Sequence, residues 1–111
     1  MASKKFRAAA VQTLAVLGDL DANIELLRRY TDHAARLGAK LVVFPECMNT
    51  GYLFDSPAHC AELAEPTSGL FVQAMADLAR KHGIHIASGI TEKDGASGKI
   101  FNSGVLVDPR G

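Results

Sequence analysis

The 111 residues are 48% hydrophobic and 22% charged, the size and balance of one small globular unit and unlike those of a disordered segment. Twelve basic residues offset twelve acidic ones with no long block of either sign, which argues against a nucleic acid or membrane-surface partner. Two cysteines, Cys47 and Cys60, are too few for a disulfide framework and read as a reducing, cytoplasmic setting.

Lys4, Lys5 and Arg7 ahead of Ala8 to Leu17 imitate a secretory signal, but Gln12 and Thr13 interrupt the apolar stretch. The same residues read as a first strand from Phe6 to Gln12. No run approaches the roughly 18 apolar residues of a membrane helix, so a soluble protein is expected. After a break at Gly18, a helix is predicted to about Leu37, with Asp19 or Asp21 as its cap. Ile24, Leu27, Ala34 and Leu37 form its apolar face, and Gly38 fits the left-handed position that ends it.

Lys40 to Phe44 follows as a second strand, parallel to the first through a right-handed crossover. Leu41 to Phe44 has the character of a strand buried on both faces, and Glu46 stands just past Pro45. In open α/β sheets the carboxyl ends of parallel strands line the ligand crevice, so an acid there is placed for chemistry. A long loop is predicted from Cys47 to Glu65, with a helical turn near Ala58 to Leu63. Thr67 or Ser68 then starts a second helix that turns Leu70, Phe71, Ala74, Met75 and Leu78 inward and stops at Gly83. Ile84 to Glu92 and Lys99 to Val107 read as an antiparallel hairpin around Asp94-Gly95 and Ser97-Gly98.

Several residue groups, in order, carry a resemblance. They are Ala9-Ala10-Val11-Gln12, Asn23, the stretch from Gly38 to Glu46 with its Phe44-Pro45-Glu46 core, and Thr50-Gly51-Tyr52. Farther on come Ala79-Arg80-Lys81-His82-Gly83-Ile84 leading to Gly89, and Phe101-Asn102-Ser103 leading to Asp108-Pro109-Arg110-Gly111. This set resembles the carbon-nitrogen hydrolase family, the nitrilase superfamily, over nearly the whole chain.

The resemblance implies an α/β fold, a nitrilase-like α/β sandwich with a mixed sheet and helices packed on it. Residues 1–111 correspond to the amino-terminal part of that domain, which is expected to be incomplete, to expose strand edges and an apolar sheet face, and in isolation to self-associate or be marginally stable. Subunits of the resembled family pair, so a homo-oligomer is expected. The implied chemistry is hydrolysis of a small-molecule amide, or a nitrile or N-carbamoyl compound, by a glutamate, lysine and cysteine triad without cofactor or metal. Only the glutamate transfers, as Glu46. The family's lysine and cysteine lie beyond a strand like Val105 to Val107, so the 111 residues alone are expected to be inactive.

The remaining polar residues divide by context. Tyr52, on the loop after Glu46, has two readings, lining a substrate pocket or capping the domain edge. Cys47 reads as a packing residue, since neighbours in an extended chain point to opposite sides. Lys81 closes a helix where the dipole favours cations, Glu92 reads as a solvated hairpin residue, and Asn102 as a tie to nearby backbone. The four histidines give no ligand spacing for a metal. Two rival classes are a noncatalytic α/β binding or assembly module and a nucleotide-binding domain. Against the latter, Val11-Gln12-Thr13-Leu14 lacks phosphate-approach glycines.

Overall fold

The computed structural model describes residues 4–111. In chain order these form β1 (Arg7–Ala10), α1 (Leu20–Arg36), β2 (Ala39–Val43), α2 (Pro57–Leu63), α3 (Leu70–His82), β3 (His85–Lys93) and β4 (Ile100–Val107). The strands lie in that order in one sheet, β1, β2 and β3 parallel and β4 antiparallel to β3. The parallel first pair and the antiparallel hairpin are those the apolar patterns predict, and the mixed α/β sheet is the one the family resemblance implies.

Local chemistry sets the helix ends. Asp19 is the cap of α1, its Oδ1 accepting from the Ala22 N–H at 3.0 Å, and Gly38 follows the last turn with φ +85°. Ser56 caps α2 by accepting from the His59 N–H at 3.1 Å, with Pro57 in the first helical position. At α3 the cap position is Gly69, which has no side chain to offer; Glu65 Oε2 accepts from the Leu70 N–H instead, at 3.1 Å. Gly83, at φ +64°, ends that helix as its position in the sequence implies.

Both long helices pack on the same side of the sheet, and Leu27, Phe71, Met75, Val42, Ile86 and Ile90 fill the space between. The two helices are also tied by polar groups. Asp32 Oδ1 lies 2.6 Å from His82 Nε2 and 3.6 Å from Lys81 Nζ, while Arg28 holds Asp32 Oδ2 at 3.0 Å. The His82 hydrogen bond, then the Lys81, His82 and Arg28 charges, keep the Asp32 carboxyl below its ordinary range against the opposing effect of burial.

Three inward positions differ from the sequence reading. Leu37 and Leu70 are more than half exposed, because each sits at a helix terminus where the apolar face has run past the sheet. Leu41 to Phe44 is not buried on both faces: Val42 is inaccessible, whereas Val43 is 40% exposed. With α1 and α3 on one side of the sheet, alternate strand residues along β2 face away from them. Leu41, Val43, Ala87, Leu106 and Phe6 line an open apolar depression of about 540 Å³ on that side.

Candidate active site

Past Val43 the chain leaves β2 but remains attached to β3, which extends well beyond it. The Phe44 N–H donates to the Ala87 carbonyl at 2.8 Å, the Gly89 N–H to Pro45 at 3.0 Å and the Met48 N–H to Gly89 at 3.0 Å. Asn49 continues the attachment through its side chain, accepting from the Thr91 N–H at 2.8 Å and donating to the Thr91 carbonyl at 3.0 Å. The Thr50 and Thr91 hydroxyls lie 2.7 Å apart. Residues 46–50 thus make a turn pinned along a strand.

The approach is close enough to require glycine on β3. A Cβ on Gly89 would stand 2.5 Å from Glu46 Cα and 3.0 Å from the Cys47 nitrogen and the Pro45 oxygen. From the other side, the Gly18 N–H donates to the Thr50 carbonyl at 2.9 Å, and buried Asn23 bridges Val16 to the Asn49 carbonyl. Cys47 takes φ +49°, a conformation that costs an L-residue roughly 1–2 kcal/mol. Its carbonyl accepts from both Thr50 and Gly51, which holds the turn in that shape.

Glu46 emerges from this turn exposed, and its Oε1 accepts from Asn102 Nδ2 at 2.5 Å. Asn102 stands on β4 directly across from Thr91. Beside the carboxylate is a cavity of about 280 Å³, lined among others by Cys47, Tyr52, Phe54, Cys60 and Asn102. Tyr52, 54% exposed, therefore shares a wall with Glu46. Cys47 is buried but also reaches this cavity, since the Glu46-Cys47 step is a turn and not the extended pair assumed from sequence. Burial, with Cys47 nearby, pushes the Cys60 thiol up, which disfavours the nucleophilic thiolate there.

Lys81 is engaged at the α1–α3 contact with Asp32, consistent with its reading as a helix-end cation. Glu92 is half-buried and accepts from the Ser103 hydroxyl at 2.7 Å, so it is not a freely solvated hairpin residue. Asn102 bonds a carboxylate and not backbone, contrary to its sequence reading. Gly89 also escaped notice as a site residue, although an isolated glycine inside a strand pattern signals close backbone approach. Among the described residues no three His, Cys, Asp or Glu side chains group as metal ligands, and no helix is long and apolar enough to cross a membrane.

Residues 7–111 match the family described as carbon-nitrogen hydrolase. The chain belongs to that family. A nitrilase from Pyrococcus abyssi is 35% identical over 106 residues, covering 95% of this chain and 40% of that protein. The omega-amidase NIT2 of Danio rerio is 37% identical over 108 residues, covering 96% of this chain and 37% of its own length. This carbon-nitrogen hydrolase chain thus spans well under half of each relative. An amidase from Nesterenkonia sp. shares its fold with a TM-score of 0.79 at 23% identity, over 95% of this chain and 39% of that one.

Proposed function

We propose that this chain supplies Glu46 as the general base of a hydrolase acting on a non-peptide carbon–nitrogen bond, an amide ahead of a nitrile or N-carbamoyl compound. The observation that carries the reading is an exposed carboxylate held at the carboxyl end of a parallel strand, on the wall of a small cavity. In this mechanism a cysteine thiol gives its proton to Glu46 and attacks the amide carbon. Collapse of the tetrahedral intermediate passes that proton from Glu46 to the departing amine and leaves a thioester, with the Glu46 carboxylate free again. Glu46 then takes a proton from the water that attacks the thioester carbon and returns it to the departing sulfur, which releases the acid and restores the thiol. A lysine stabilises the oxyanion in each step. Tyr52 contributes a wall to the substrate pocket.

The lysine and nucleophilic cysteine would come from residues outside these 111, so the isolated chain is expected to be inert toward amides. The reading is tested by the intact mass of the endogenous product and the DNA following Gly111. A product more than about twice this chain's mass, turning over an amide and losing about 10²–10⁴-fold in rate with Glu46→Gln, supports it. An endogenous product that ends at Gly111 and hydrolyses nothing overturns it in favour of a binding or assembly module.

A further inference from the structure

We propose that Asn102 is a positioning residue for the Glu46 carboxylate, a role that deepens the hydrolase reading above and rests on it. Glu46 is exposed and leaves a turn, so its own backbone does not select among the staggered rotamers of a long side chain. Two tethers do. Its Cα lies against Gly89 on β3, and its Oε1 accepts from Asn102 Nδ2 on β4 at 2.5 Å.

The hairpin register sets both tethers at once. Gly89 pairs with Gly104 and Thr91 with Asn102, and strand side chains alternate, so Gly89 and Asn102 share the sheet face opposite α1 and α3. Glu46 crosses β3 where the side chain is missing and meets the amide on the next strand. The amide suits the task because it donates without adding a positive charge and takes no proton itself at neutral pH. It occupies Oε1 and leaves Oε2 for the transferred proton. Asn102 also lines the cavity beside Glu46, so the tether is made at the site's wall.

The test uses the endogenous protein that contains this chain, with acetamide and longer aliphatic amides as probes. Asn102→Asp keeps the shape but replaces the donor with a like charge, and it is expected to lower kcat by about 10²-fold with KM nearly unchanged. Asn102→Ala should lose less than Asn102→Asp, and Asn102→Gln, which keeps the donor, should recover part of the rate. Alongside, the Asn102 side-chain amide signal in a ¹H–¹⁵N spectrum should sit downfield in the wild type and return to the ordinary amide position in Glu46→Gln.

Turnover that depends on Glu46 but is unchanged in all three Asn102 variants, or an amide signal indifferent to Glu46→Gln, overturns the positioning role while leaving the hydrolase reading intact. Loss of kcat that follows only the loss of folded protein, measured by thermal melting of each variant, also overturns it. A wild type that turns over no amide removes the hydrolase reading and the positioning role with it.

Discussion

The two faces of the sheet are made from the same strands and do different things. Along β2 and β3, Val42, Ile86 and Ile90 point toward α1 and α3 and are inaccessible, while Val43 and His85, in alternation with them, are exposed. The helix side holds the apolar core. The other side stays open over its lower part and is covered at its upper end by the turn that carries Glu46. Burial fixes the sheet from one side, and the candidate chemistry is assembled on the other, where the backbone can be approached.

The strongest way to break this division is at Gly89, because the atoms a side chain would meet there are backbone and cannot swing aside. Gly89→Val is expected to cost about 4 kcal/mol, read as a lowered urea midpoint, and to abolish any Glu46-dependent turnover. Gly104 pairs with Gly89 across the hairpin but has open space where its Cβ would go. Gly104→Ala should therefore stay within about 0.5 kcal/mol of the wild type. Equal losses at the two glycines would show that the Glu46 turn does not press on β3.

Side-chain deletions sharpen the same contrast at the next size of effect. Ile86→Ala removes a buried side chain from the helix side and should cost about 3 kcal/mol. Val43→Ala on the open side should cost less than about 1 kcal/mol by the same urea titration. A similar cost for both would mean that the open face is covered in solution.

The contact between α1 and α3 carries a smaller, pH-dependent term. Asp32 titrates below its ordinary range in the folded chain, chiefly through the His82 hydrogen bond and then the Lys81, His82 and Arg28 charges. A carboxyl with a depressed folded pKa stabilises the fold above its unfolded pKa, and this is lost as pH falls through the folded value. Asp32→Asn should thus be less stable by about 1 kcal/mol near neutrality, with the difference shrinking at pH values below the ordinary aspartate range. Thermal melts of both proteins across that range check it, and a difference independent of pH would refute the charged contact.

What the sequence made legible follows from which forces act locally. Glycine and aspartate caps and apolar periodicity act over a few residues, so the order of strands and helices, the hairpin and the position of Glu46 at a strand end could all be read. Val43 could not be read, because an apolar run is the same whether one face or both are covered. Asn102 and Gly89 were misread or missed as site residues for a related reason. Each acts on Glu46 across a strand register, 56 residues away for Asn102, and no short-range pattern encodes that meeting. The Glu46-Cys47 geometry escaped because a positive φ at a non-glycine residue is imposed by the surrounding hydrogen bonds and not by propensity.

Tyr52 offers the smallest effect on the fold and a clean separation of its two readings. It is 54% exposed and lies just past the pinned turn, where little of the core depends on it. Tyr52→Ala should therefore change stability by less than about 0.5 kcal/mol. If the side chain is a wall of the substrate pocket, its loss removes binding felt equally by substrate and transition state, so KM rises several-fold while kcat holds. If it merely caps the domain edge, neither constant moves. Steady-state kinetics on an amide with the endogenous protein decides between them, because an exposed cap has no means of raising KM while leaving the fold and kcat untouched.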